Sequence, residues 1–377
     1  MSSTGAESPM HIGRVHHGHG TTLAFKRLLS NSSDTANHIR ELAVNITKED
    51  LREIGHAETF EKMMQLQALT VISSRHSQLL FFNETKQFSW DDNPIRQGLL
   101  HLLHLPTLVS LHLQSIEHFI VSDLVPCTNL KHIYLSELSI ARTSPSARIT
   151  VFPIQPRSLF CGTRSAPIFL EMCAMQCGDG SPFFDLSRVT DVTFEVVKPQ
   201  DLKYLRRILS HCKSLVSLKA INYNNLATPP DFKTSTIFLN IFSTTTAESI
   251  QTLKRIDMII SFSDSYSTLR DKGDPFRGFV DALENIEKIE DITIEVVIEV
   301  GSTYGLLAKW ARLDQVLTRP GWSTLRKVSL TIKTHRYAWD PSNHVAQTIE
   351  AFPKTHFSGL SSHNFVVFDF RHVSRTK

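Results

Sequence analysis

This sequence predicts an α/β repeat solenoid with a face of parallel strands and an outer layer of helices. Three observations predict it. A six-residue apolar pattern recurs along the chain, apolar residues at helical spacing lie between the copies, and 41% of the 377 residues are hydrophobic. That composition is ample for a large core and far from the charged, apolar-poor make-up of disordered chains.

The repeated pattern is an apolar residue, two variable ones, an apolar residue, one variable and a last apolar residue. The clearest copies are adjacent: LVSLHL from Leu108 and LKHIYL from Leu130, 22 residues apart. In chain order the others are IRELAV from Ile39, LQALTV from Leu66, VTDVTF from Val189, LVSLKA from Leu215, LKRIDM from Leu253, IEDITI from Ile289 and LRKVSL from Leu325. A degenerate copy, PRSLFC from Pro156, keeps Leu159 and Cys161. This is the L-x-x-L-x-L signature of leucine-rich repeats. Physically it is a short strand whose alternate residues point into the core while those between point out. One repeat cannot bury its apolar side alone, so neighbours stack.

Between the copies, Ile95, Leu99, Leu102 and Leu103 share a helical face, as do Leu202, Leu205, Ile208 and Leu209, and Leu307, Trp310, Leu313 and Leu317. The last of these is followed by Arg319-Pro320-Gly321, punctuation expected just past a helix. Spacings from 22 to 42 residues between copies make the solenoid irregular and call for insertions. These are placed at Leu79 to Pro94, Arg142 to Pro156 and Asn222 to Thr234. The expected organisation is a disordered leader over residues 1–20, one repeat domain over 21–334 and a capping segment over 335–377. That segment holds a final strand candidate, Phe365 to Phe370.

Composition also excludes function classes. Lys plus Arg number 40 and Asp plus Glu 37, and a net charge of +3 offers little field to attract nucleic acid or an anionic membrane. Apolar runs such as Leu99 to Leu105 are broken by histidine and fall short of the ~20 residues that cross a bilayer. The N-terminal segment is polar and Gly/His-rich where a secretory signal needs an apolar region. Five cysteines, Cys127, Cys161, Cys173, Cys177 and Cys212, suit buried thiols in a reducing compartment. The expected location is intracellular, cytoplasmic or nuclear.

Catalytic motifs do not emerge. There is no G-x-G-x-x-G, P-loop, G-x-S-x-G or H-E-x-x-H pattern, and Gly178-Asp179-Gly180 reads as a turn. His11, His16, His17 and His19 offer imidazoles to a transition metal, yet the glycines among them fit a floppy leader. Cys173 and Cys177, four apart on an expected helix, suit either a shared metal or two buried thiols; without a second pair the thiols are favoured. Lys203 to Arg207 reads as the solvated face of a helix. The expectation is a protein that is not an enzyme and takes no cofactor.

The repeat instead aims one row of side chains outward: Ala43, Thr70, His112, Tyr134, Phe160, Thr193, Lys219, Asp257, Thr293 and Ser329. Ser110, His132, Ser136 and Arg255 flank it. Stacked strands bring such positions about 5 Å apart, so a partner reads several together. His112, His132, Tyr134, Phe160, Lys219, Arg255 and Asp257 are therefore the expected contacts for a protein partner, with aromatic groups, typical of interface hot spots, gathered in the middle.

Two stretches carry a family resemblance. His101 to Leu138 holds paired repeats with an I-x-x-F joint followed by LVPCTNLK, and Gly178 to Ile221 contains FFDLSRVTDVTFEV and RRILSHCKSLVSLKAI. These resemble the leucine-rich region of the F-box-like proteins of mushroom-forming fungi, over roughly Leu23 to Lys333. The resemblance implies a substrate receptor of a ubiquitin ligase, with a cullin-ligase adaptor as a second partner if an F-box lies upstream. An F-box is a helical module of about 40 to 50 residues opening with Leu-Pro, and the residues before Leu23 do not supply one. A ligase-independent assembly scaffold is the alternative.

Overall fold

The computed structural model describes residues 33–46, 60–73, 88–91, 95–141, 153–177, 179–197, 199–223, 251–262, 279–280, 283, 286, 288–299, 310–336 and 344–376. The histidine cluster, Leu307, and the central parts of the three expected insertions lie outside the described residues. The chain divides into two compact units, Met1–Asp185 and Leu186–Lys377.

The first unit contains α1 (Ser33–His38), β1 (Glu41–Ile46), β2 (Ala68–Ser73), β3 (Phe88–Ser89) and α2 (Ile95–Leu103). It continues with β4 (Ser110–Gln114), β5 (Ile116–Glu117), β6 (His132–Ser136), β7 (Ser158–Cys161) and α3 (Ala166–Ala174). Strands β1, β2, β4, β6 and β7 pair in parallel in chain order, and β3 pairs with β5 in a separate ladder. Every main strand here coincides with a copy of the apolar pattern, including the degenerate one. Alternation explains the fit: Leu69, Val71, Leu111, Leu113, Ile133, Leu135, Leu159 and Cys161 are all buried, while the residues between them keep solvent access. Val44 is the exception, half-buried on the first strand where its counterparts are covered.

The start of each strand repeats one hydrogen-bond arrangement. Two consecutive amides of the following strand donate to a single carbonyl: Gln67 and Ala68 to Arg40, Val109 and Ser110 to Gln67, Lys131 and His132 to Val109, Arg157 and Ser158 to Lys131. A side chain just before the first apolar residue adds to it. Thr107 Oγ1 donates to the Leu66 carbonyl at 2.7 Å, and Asn129 Nδ2 to the Pro106 carbonyl at 2.8 Å. Strands β4 and β6 end on left-handed residues, Ser115 at φ 57° and Glu137 at φ 53°, which turn the chain out of the sheet. There the Ser115 hydroxyl donates to the Glu137 carboxylate at 2.7 Å.

The described end of the Leu79 to Pro94 insertion is packed into this unit. Phe88 and Trp90 are buried, and Trp90 meets Phe119 with ring centroids 5.1 Å apart. Asp123 gathers the neighbouring elements. It accepts from Trp90 Nε1 at 2.7 Å and from Arg96 of α2 through a two-pronged contact at 2.9 to 3.1 Å. With both charged side chains largely covered, this forked pair fixes α2 against the turn Val121–Leu124.

The second unit contains β8 (Asp191–Val196), α4 (Pro199–His211), β9 (Ser217–Tyr223), β10 (Arg255–Phe262), β11 (Asp291–Glu299), α5 (Trp310–Leu317) and β12 (Lys327–Arg336). Three short helices, α6 (His344–Glu350), α7 (Phe352–Thr355) and α8 (Ser358–Ser362), precede β13 (Val367–Thr376). All six strands pair in parallel in chain order. The same locks recur: Thr252 Oγ1 donates to Leu215 O at 2.8 Å and Thr324 Oγ1 to Ile289 O at 3.0 Å. Leu205, Ile208 and Leu209 of α4 are buried while Lys203 and Arg207 are exposed, the amphipathic division its sequence predicts.

The final strand is longer than the Phe365 to Phe370 candidate. Val328 and Leu330 of β12 face Phe368 and Phe370, which sets Phe365 in the place of the first apolar residue. Phe365 is instead 85% exposed. The α5–α8 region is closed by Asp314, which lies on α5 at 8% exposure and accepts from the amides of Gly359 (2.9 Å) and Leu360 (2.8 Å) at the start of α8.

Candidate functional site

Strand register decides which side chains meet on the outward face. In the first unit Ala43 pairs with Thr70, Thr70 with His112, His112 with Tyr134, and Tyr134 with Phe160. The row expected from the repeat is therefore a true row here. Its three aromatic members contact one another across adjacent strands, Tyr134 and Phe160 stacked and His112 tilted against Tyr134. The His112 and Tyr134 rings lie 3.7 Å apart at 52°, and Tyr134 and Phe160 lie 3.8 Å apart at 10°. All three are half-buried. His132 stands exposed in the adjoining row, in register with Ser110 and Ser158.

Stacking sets the chemistry of this patch. Tyr134 has a neighbouring ring on each side, so approach from solvent meets mainly ring edges, while His112 Nε2 is buried beneath the row. Ring edges carry the positive part of the aromatic quadrupole and favour acceptor atoms or another ring face. Ser136, placed by sequence in a flanking row, is buried instead: it packs against Gly162, where an added Cβ would collide with the Ser136 side chain.

In the second unit the row runs Thr193, Lys219, Asp257, Thr293, Ser329 and Asp369 in register. Lys219 and Asp257 are thus neighbours. Arg255 reaches Asp191 at 3.5 Å across Ser217, and Lys333 meets Glu295 at 2.6 Å. The charges of this face compensate one another, and half-exposed pairs of this kind contribute little stability each. The seven expected contacts therefore fall into two sets: His112, His132, Tyr134 and Phe160 on the first unit, and Lys219, Arg255 and Asp257 on the second.

One constellation of catalytic residue types occurs on the first unit. Ser89 Oγ lies 2.5 Å from Asp91 Oδ1 and 3.0 Å from His118 Nδ1, and Asp91 lies 3.7 Å from that same nitrogen. A relay needs the carboxylate and the hydroxyl on opposite ring nitrogens. Here both address one nitrogen, so the arrangement orients a loop and does not activate Ser89. His118 itself adopts φ 51°.

None of the five cysteines is in a disulfide. Burial, reinforced by nearby Asp123, pushes the Cys127 thiol up to about 12, and its Sγ donates to Leu103 O at 3.1 Å. Cys173 and Cys177 do not share a helix as the spacing predicts. Helix α3 ends at Ala174 because Met175 takes an extended conformation, and Cys177 enters the turn closed by Gly180 at φ 83°. Among the described residues no group of three or more His, Cys, Asp or Glu side chains could hold a metal ion. No described helix is long and apolar enough to cross a membrane.

No protein family and no curated protein matches this chain. Among solved structures it is similar to an internalin from Listeria monocytogenes, with 13% sequence identity and a TM-score of 0.35 over 99% of this chain and 94% of the other. The repeat assignment rests on the strand register.

Several residues that shape these surfaces escaped the sequence pattern. The Trp90–Arg96–Asp123 cluster joins residues 27 and 33 positions apart that lie outside the repeated pattern. The threonines at 107, 252 and 324 had a readable signal, since each immediately precedes the first apolar residue of a copy.

Proposed function

We propose that this protein is a recognition module that binds another protein on the outward strand face of its first unit. The observation that carries this is the in-register row of His112, Tyr134 and Phe160, whose half-buried rings contact one another across three adjacent strands. Rigid, half-buried aromatic groups lose little conformational freedom on binding and make effective anchors. Their outward edges select carboxylate, carbonyl or aromatic-face groups on the partner. Lys131, His132 and Arg157, at successive strand starts beside the stack, favour an acidic segment there. Lys219, Arg255 and Asp257 form a secondary contact set on the second unit. Binding requires no chemistry and no cofactor.

The resemblance in the repeats extends the proposal one step: the bound protein would be a substrate presented for ubiquitin ligation. Co-purification of a cullin-ligase adaptor with the endogenous protein supports that step. Its absence leaves an assembly scaffold.

The recognition itself is tested with a photo-reactive amino acid at position 132 or, as control, at position 207 on α4. Expression in the source cells should give protein-sized adducts from position 132 that disappear when Tyr134 and Phe160 are replaced by alanine. Adducts from position 207 alone overturn the assignment.

A further inference from the structure

We infer that β13 is a self-complementary edge through which two copies of this chain join antiparallel. Three observations lead there. First, β13 pairs with β12 on one side, and among the described residues no strand pairs on its other side. A ten-residue edge presents a row of backbone donors and acceptors, a template that proteins otherwise blunt or cover.

Second, the sheet is apolar and incompletely covered at this edge. On β12 the inward residues Val328, Leu330 and Ile332 are at most 1% exposed, whereas their neighbours Phe368 and Phe370 remain half-buried. Phe365 (85% exposed) and Val367 (64%) stand at the same place, the two most exposed large apolar residues among those described. An added strand would extend the inner face over Phe368 and Phe370.

Third, the sequence of β13 matches its own reverse. With Phe370 on a two-fold axis, antiparallel pairing sets Val367 opposite Val373, Phe368 opposite His372, and Asp369 opposite Arg371. Side chains opposed in this way lie on the same face. Val367, Asp369, Arg371 and Val373 occupy the outward face, and Phe368, Phe370 and His372 the inward one. Every opposed pair is apolar, aromatic or of opposite charge. In the single chain Arg371 instead folds back on Asp369, with Nη2 2.9 Å from Oδ2, so both groups are present and accessible for exchange across the axis. A two-fold contact is isologous and closes at two copies, without forming fibres.

The test uses the full chain and charge reversal. Wild-type protein in sedimentation equilibrium should show a dimer of the 42.7 kDa chain that dissociates on dilution. D369R places arginine against arginine, and R371D places aspartate against aspartate. Each alone should weaken self-association on the order of tenfold or more, from two like-charge pairs per dimer. Mixing the two variants restores complementarity and should restore the dimer as a heterodimer. A wild-type chain at monomer mass throughout overturns the proposal. Variants that dimerise as well as wild type, or a mixture that stays monomeric, overturn the pairing register.

Discussion

Removing the carboxylate of Asp314 should loosen the C-terminal helices of the second unit, and the structure sets the size of the effect. The side chain is 8% exposed and holds the Gly359 and Leu360 amides at 2.9 and 2.8 Å. Hydrogen bonds to a charged acceptor contribute ~1.5–3 kcal/mol each, part of which is offset by relief of the buried charge. Asp314→Ala should therefore cost about 3 kcal/mol, and Asp314→Asn, which keeps one acceptor oxygen, about half of that. Gly359 lies so close that an added Cβ would sit 2.8 Å from Asp314 Oδ2 and 3.1 Å from Thr318 Cγ2. Gly359→Ala should cost roughly 1–3 kcal/mol by overpacking. Because the carboxylate is the main obstacle, the double variant should be more stable than the sum of the two losses, with a coupling of about 1 kcal/mol or more. Trp310 on α5 packs on Phe352 and Phe357, so its fluorescence during urea unfolding reports this region. Additive losses, or a loss below about 0.5 kcal/mol for Asp314→Ala, would refute the assigned cap.

Three further outcomes follow from the first unit. Asp123→Ala strands the Trp90 indole and the Arg96 fork and should cost about 2–4 kcal/mol in chemical denaturation, with Arg96→Lys costing less because lysine lacks the fork. The Cys127 thiol ionises at about 12 in the folded chain against 9.0 for an unburied thiol, so the unfolded state alone loses a proton between those values. Stability is therefore intact below pH 9 and falls from there towards pH 12, a decline that Cys127→Ser should reduce; in iodoacetamide labelling at pH 8, half-exposed Cys173 should react well before Cys127. Thr107→Val removes the hydroxyl that reaches Leu66 O and should cost about 1 kcal/mol, whereas Thr70→Val on the outward row should cost much less, both read from thermal unfolding.

The strands were legible because burial on one side of a parallel strand imposes a two-residue alternation that sequence displays directly. Leu111 and Leu113, and Ile292 and Ile294, are buried as that alternation requires. The same alternation placed His112, Tyr134 and Phe160 in one row, since register in a stack follows from equal placement in each copy. That these rings stack was not legible, because it depends on rotamers. Ser136 shows the limit: its position is outward by count, yet Gly162 of the next repeat lets the chain close over it. Asp123 and Asp314 act on partners 27 to 46 residues away in other elements, and no sequence period relates them. Strand β13 was only partly legible because Phe365 replaces the buried first residue of the pattern and remains in solvent.

Whether a protein partner reads the His112, Tyr134 and Phe160 row is tested most directly by hydroxyl-radical footprinting of the complex purified with its native partner. Oxidation of Tyr134, Phe160 and His132 should fall severalfold on complex formation while exposed residues of α4 such as Arg207 keep their rate. Unchanged labelling of Tyr134 and Phe160, with protection on α4 instead, would contradict the account.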